Sequence, residues 1–510
     1  MLSALVDSVF PASWPEDLRN LFVALLCLLG ALSAVRALRG GGPEEAGGKK
    51  KGAGKKGGGD AASFAAFQRE YLVVYLVIML ADWLQGTNMY TLYSGYGVSV
   101  STLFLTGFSS SLVFGTFVGL LVDEYGRRKA CILFCVLEIV INALEHVPNM
   151  FLLLVGRVLG GISTSLLFSA FESWMVAEHR KRGYPEEWLA GTFSMAAAGN
   201  GAVAVIAGLL AQVAADYRGD IGPFQLAIAL TFVALGFVLR WPENYGAAGD
   251  APPAGVASSV ATSLRTASDA IAGDKRVALL AAVSALFEGA TFTFVFMWVP
   301  ALIGKYPYAG DLPTGLVFAS FMVAITTGGV LYGLFVGDGP PKALLTSHDA
   351  VERFSLAVLL AAAAAMAVPT LGADAALLPQ GAPKLAGFAV TVAAFLVLEV
   401  CVGCFNGSAG TMRARYIPDD VQGAVMNLSR VPLNVLVVAG TTMADYAPAQ
   451  VAFGAVSATF LLGAILQGVL VSEIAPAAPK GAASPPKKTK NGKDTPPTPR
   501  RSARLKDKAN

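Results

Sequence analysis

The stretch GLLVDEYGRRK, Gly119 to Lys129, decides how the rest of the chain is read. It places Gly119, Asp123, Gly126, Arg127 and Arg128 in one turn between apolar runs at 98–122 and 130–146. A weaker copy, GLFVGDGPPK, begins at Gly333 and follows another apolar run, at 314–335. Working outward, twelve runs recur, at 70–93, 98–122, 130–146, 150–178, 188–214, 221–240, 277–301, 314–335, 351–372, 385–412, 422–444 and 448–473. Each is close to the roughly 20 residues that a helix needs to cross a bilayer. The segment 241–276 divides them six and six, and each turn follows the second run of its half. A thirteenth run, Leu21 to Val35, comes first. Asp7, Glu16 and Asp17 precede it in place of a basic region, which argues against a cleaved signal peptide.

Composition agrees with this division. Of 510 residues, 55% are hydrophobic and 14% charged, against about a quarter charged in soluble domains. The fold class expected is an all-α polytopic membrane protein, made of two six-helix bundles with pseudo-two-fold symmetry and one extra N-terminal transmembrane helix. The domains expected are that helix (1–40), a basic flexible linker (41–69), a first bundle (70–240), a central loop (241–276), a second bundle (277–474) and a disordered basic tail (475–510).

Charge gives the orientation. The linker GGKKKGAGKKGGG, the turns DEYGRRK and EHRKRGYPEE, the 241–276 segment, MRARY and the Lys/Arg-rich tail all fall on one side. The short loops of the other side hold Arg218, Lys305 and Lys384. The positive-inside rule makes the first side cytoplasmic, with the C-terminus inside and the N-terminus outside. The tail suits anionic lipid rather than nucleic acid.

Ionisable groups inside apolar runs mark function, because each costs roughly 2.5 kcal/mol or more at mid-bilayer. Asp82 lies in ADWLQGTNMY and Arg157 in VGRVLGGIS. They are expected at similar depth, where pairing would offset both desolvation costs. Such a pair reads either as a structural lock or as a proton- or substrate-linked switch. Glu138 is placed near the cytoplasmic end, where it can snorkel, and Glu172 in the inner half of the cavity or in a structural role. Glu288, Glu399 and Arg430 are too deep to reach water except through a cavity. Arg430 carries the most weight for an anion, since a guanidinium fork matches tetrahedral oxyanions. Pro432 beside it can free a carbonyl and bend the helix. Asn200, Asn427 and Asn434 are candidates for added hydrogen bonds, each set against a helix-packing role.

The pattern G-x-x-x-D-x-x-G-R-R/K, carried by Gly119, Asp123, Gly126, Arg127 and Arg128, resembles the loop motif of the major facilitator superfamily. VGRVLGGIS, with Arg157 and the Gly160–Gly161 pair, resembles its fourth-helix motif. The stretches ADWLQG, VGRVLGGISTSLLFSAFESW, WPENY, ALFEGATFTFVFMWVP and SRVPLN are similar to the molybdate-anion transporter family within that superfamily. The resemblance covers roughly 70 to 475 and implies uptake of the molybdate oxyanion at the cell membrane. Residue pattern alone implies a two-fold-repeated transporter and not its substrate. On that footing Arg430 with Asn200, Asn427, Asn434 and Glu288 would bind the anion, and Glu288, Glu399 or Asp82 would carry a coupling proton. Another anion such as sulfate, an organic solute, or a non-transporting sensor or scaffold are the alternatives. No metal-ligand cluster, nucleophile elbow or phosphate loop is present in the sequence, so neither catalysis nor a cofactor is expected. Cys401 and Cys404 form a CxxC with no second ligand pair, which reads as apolar filling.

Overall fold

The computed structural model describes residues 10–40, 58–115, 118, 122, 125–245, 256–336, 343–371 and 384–474. Gly119 and Asp123 of the loop motif lie outside the described residues, as do the tail and most of the linker. The described elements are helices: α1 (Glu16–Gly40), α2 (Gly58–Gly95), α3 (Val100–Gly115), α4 (Arg127–Leu144), α5 (Met150–Leu167), α6 (Ala170–Lys181), α7 (Glu187–Arg218) and α8 (Gly222–Val238). They continue with α9 (Val256–Gly273), α10 (Lys275–Ile303), α11 (Thr314–Phe335), α12 (Ala350–Thr370), α13 (Lys384–Tyr416), α14 (Asp419–Tyr446) and α15 (Ala449–Ile474). Among the described residues ten stretches are long and apolar enough to cross a membrane, so the protein is a multi-pass membrane protein.

Helix contacts show the repeat directly. In the first bundle α2 packs on α7 and α8, α3 on α5, and α4 on α5 and α8. In the second, α10 packs on α14 and α15, α11 on α13, and α12 on α13 and α15. First, second and third helices therefore meet the same ordinal partners in both halves. The bundles also meet symmetrically: α7 packs on α11 and α14 on α3, the fifth helix of each against the second of the other.

Four local features depart from the sequence reading. α2 begins at Gly58, so part of the expected linker is helical. The alanine-rich start DAASFAAFQRE favours helix, and Phe64 and Phe67 pack among Trp174, Tyr184, Trp188 and His179. The expected run 150–178 is two helices broken at Phe168–Ser169. The central segment carries a helix, α9, which buries Ala267 in a cluster with Val277, Leu280 and Val425. Glu138 lies eleven residues into α4, about 16 Å along the axis, and it is buried; it does not snorkel.

The extra helix crosses the full span. Leu18 and Phe22 are buried with Leu312 and Leu316 at the start of α11. Toward the other end, the Arg36 guanidinium lies against Gly333, close to the end of α11. Among the described residues only 6% of its most apolar window is buried inside the protein.

Candidate functional site

Contacts between the bundles concentrate from mid-span toward the face opposite the basic loops. Phe296 of α10 packs edge-on against Phe104 of α3 and Tyr90 of α2, at 5.2 and 6.4 Å between ring centroids. Phe108 meets Phe292 at 5.5 Å. α7 and α11 approach backbone to backbone, where a Cβ on Gly208 would lie 2.6 Å from the Gly315 carbonyl oxygen. Only glycine permits that approach. Gln212 Oε1 accepts the Gly315 backbone N–H there at 3.0 Å. A cavity of about 680 Å³ lies beside the basic loops instead, lined by Arg127, Phe168, Ser169, Glu172, Arg180 and Tyr245 among others. The break before α6 and Arg127 of the loop motif both border this space.

The loop motif is held by a residue that the sequence reading did not assign. Glu243, in WPENY, accepts the backbone N–H of Arg128 at 2.8 Å and of Lys129 at 3.2 Å. Its carboxylate therefore caps the N-terminus of α4, where helix dipole and unpaired N–H groups favour a negative charge. Arg128 donates to the Leu239 carbonyl at 2.7 Å, and Arg127 N–H to Asn244 O at 3.0 Å. Trp174 stacks on Trp241 at 3.7 Å and donates to the Pro242 carbonyl, which fixes the segment. Gly126 has φ of 112°, a conformation that glycine adopts without strain. The sequence signal was a carboxylate just after the sixth helix of the bundle. Glu243→Ala is expected to lower stability by about 1–2 kcal/mol, read as a lower thermal midpoint of the detergent-solubilised protein; an unchanged midpoint would remove the capping role.

The expected Asp82–Arg157 pair is not formed. Arg157 Nη2 lies 2.6 Å from Oε1 of Glu145, and its Nη1 lies 3.2 Å from the Met89 sulfur. The Tyr93 hydroxyl donates to the same Glu145 oxygen at 2.8 Å. Depth explains the outcome. Met89 stands seven residues beyond Asp82 on α2, about 10 Å toward the non-basic face. Helical side chains also lean toward their own N-terminus, so Arg157 points to the short α4–α5 turn where Glu145 sits. Asp82 makes no hydrogen bond or ion pair among the described residues. Around it, Trp83 donates to Asn200 Oδ1 at 2.9 Å and Gln85 to Glu138 Oε2 at 2.9 Å. Ser163 and Asn142 also donate to Glu138. Glu138 is thus the centre of a polar knot joining α2, α4 and α5.

The remaining sites divide as follows. Glu172 is exposed on the wall of the cavity. Asn200 is half-buried, with its carbonyl oxygen committed to Trp83. Asn434 turns its amide inward and donates to the Arg430 carbonyl four residues back, a helix-packing role for that group. The Asn427 side chain lies outside the described residues. Glu399 is 5% exposed and makes no hydrogen bond or ion pair among the described residues. Glu288 is half-buried and sits in the field of Arg413 and Arg430. Arg430 is exposed and, among the described residues, has no carboxylate partner. The sequence places Arg413 in a loop, in MRARY; α13 instead continues to Tyr416, so Arg413 is helical and contributes to the field at Glu288. Cys401 and Cys404 are buried free thiols, and Cys404 donates to the Gly328 carbonyl where α11 and α13 cross.

A major facilitator family model, described as 12-TM sugar transporters, matches residues 46–397. The molybdate-anion transporter of Xenopus tropicalis is 34% identical over 388 residues, 73% of this chain and 78% of that protein. The molybdate-anion transporter of Danio rerio is 34% identical over 400 residues, 74% and 79% of the two chains. Among solved structures, a POT family transporter in complex with 5-aminolevulinic acid aligns with a TM-score of 0.62 at 12% identity, over 80% of this chain and 96% of that one. A D-xylose-proton symporter aligns at 0.57 and 13% identity, over 81% and 98%. These two establish the architecture of two six-helix bundles. By its sequence relatives and its fold, the chain belongs to the molybdate-anion transporter family of the major facilitator superfamily.

Proposed function

We propose that this protein is a secondary transporter that takes up molybdate across the cell membrane by alternating access, and that it is not an enzyme. Family membership supplies the substrate. The observation within the site that supports it best is the state of its arginines. Arg157 is consumed by Glu145, whereas Arg430 is exposed and has no carboxylate partner among the described residues. A planar fork left free in that setting is suited to two oxygens of a tetrahedral dianion. Arg413, near Glu288, adds a second positive charge. Glu288 in the same field acts as the internal counter-ion when the site is empty.

In this reading the basic face is cytoplasmic. The bundles meet from mid-span to the outer face, so the structure stands in the inward-facing state. Asp82 and Glu399, carboxyls without partners among the described residues, are the candidates for a coupling proton, because a charge at their depth is costly. The uptake test is elemental: cells lacking their own molybdate uptake should accumulate molybdenum when they express this chain, with sulfate as competitor. Accumulation equal to that of empty-vector cells would refute the reading.

Orientation has its own test. Tags inserted at Gly255 and after Asn510 should resist protease added outside intact cells. Cleavage of either tag from outside would reverse the assignment of the faces.

A further inference from the structure

On the non-basic face, the segment leading into the extra helix touches both bundles. Trp14 is 4% exposed. Its indole N–H donates to Oδ2 of Asp216, near the end of α7, at 2.7 Å. The other Asp216 oxygen accepts from Gln212 Nε2 at 2.9 Å. Gln212 in turn accepts the Gly315 backbone N–H, in the first turn of α11. Three residues after Trp14, Asp17 accepts the hydroxyl hydrogen of Tyr308, from the loop before α11. α1 then runs along α11, with Leu18 and Phe22 buried beside Leu312 and Leu316. By packing, α1 belongs to the second bundle. Its indole reaches across to a carboxylate of the first.

We propose that α1 is a latch: the Trp14–Asp216 hydrogen bond holds the non-basic face shut and must break before that face opens. The inference rests on the alternating-access reading. Opening that face separates α7 from α11 at Gly208 and Gly315. α1 moves with α11, so Trp14 is carried away from Asp216. The bond exists only in the closed state, and a contact made in one of two states shifts their balance by its own free energy. Nothing in a twelve-helix plan supplies this bond; it depends on the thirteenth helix.

The test uses spin labels on the full-length chain in lipid nanodiscs, one at Tyr217→Cys on α7 and one at Asp311→Cys before α11. Tyr217 is 84% exposed, and Asp311 is exposed. Cys27, the exposed native thiol, is replaced by serine. Pulsed electron resonance then gives the populations of short and long distances without substrate. Trp14→Phe keeps the ring but loses the donor, and should raise the long-to-short ratio about tenfold, the scale of a hydrogen bond to a charged group. Asp216→Leu should do the same. Asp216→Asn keeps an acceptor and should stay near the parent. Parent-like populations in both Trp14→Phe and Asp216→Leu would overturn the latch. A single short distance in every variant would instead refute alternating access itself. Molybdate flux, measured separately, bears on neither distance.

Discussion

Arg430→Gln should raise the half-saturation for molybdate roughly ten- to a hundredfold at normal surface abundance, because it removes a charge-assisted interaction of about 1.5–3 kcal/mol. Arg430→Lys keeps the charge and loses the fork, so two-point contact with the oxyanion fails. Its half-saturation should rise less, by about tenfold. The competing role for Arg430 is to neutralise Glu288, whose field it shares with Arg413. That role makes a different forecast: Glu288→Gln would rescue Arg430→Gln. As an anion ligand, Arg430 is not rescued in this way. Concentration-dependent uptake, normalised to surface protein, separates the two. An unchanged half-saturation in Arg430→Gln would remove Arg430 from the site.

The largest stability effect should fall at the Arg157–Glu145 pair. Both side chains are nearly removed from solvent, at 12% and 1% exposure. Glu145→Leu leaves a guanidinium buried beside Met89 and the Tyr93 ring with no carboxylate. Breaking a buried pair by removing one partner costs about 3–5 kcal/mol. The double variant Glu145→Leu with Arg157→Met removes both desolvation costs and should recover most of that loss. Thermal midpoints of the parent, the two single variants and the double variant decide it. A double variant no more stable than the worse single would show that the two residues act separately. Asp82→Asn is the matched control: Asp82 is not paired with Arg157, so its stability effect should not depend on Arg157→Met.

The helices were legible in the sequence because a membrane span is a local property. Runs of apolar residues, a six-and-six division and two related turns carry it without any knowledge of contacts. The partner of Arg157 was not legible, because it depends on how far each helix continues beyond its apolar run. α2 continues to Gly95, which leaves Asp82 about two turns too deep. The same cause hid Arg413, whose helix runs four residues past the apolar run. The break at Phe168–Ser169 has neither proline nor glycine to announce it. Asn434 looked available to a ligand until its own helix claimed its amide. Glu243 was visible as a residue but not as a cap, since it closes on Arg128 and Lys129 from 115 and 114 positions away.

Flux through the purified protein tests the central claim most directly. The full-length chain is reconstituted into liposomes preloaded with unlabelled molybdate, and labelled molybdate is added outside. Alternating access with Arg430 as ligand requires labelled molybdate to accumulate by exchange, weakly inhibited by sulfate and with a half-saturation raised roughly ten- to a hundredfold in Arg430→Gln. Liposomes that bind and exchange no more molybdate than protein-free controls, while the protein is folded by its thermal transition, would contradict it.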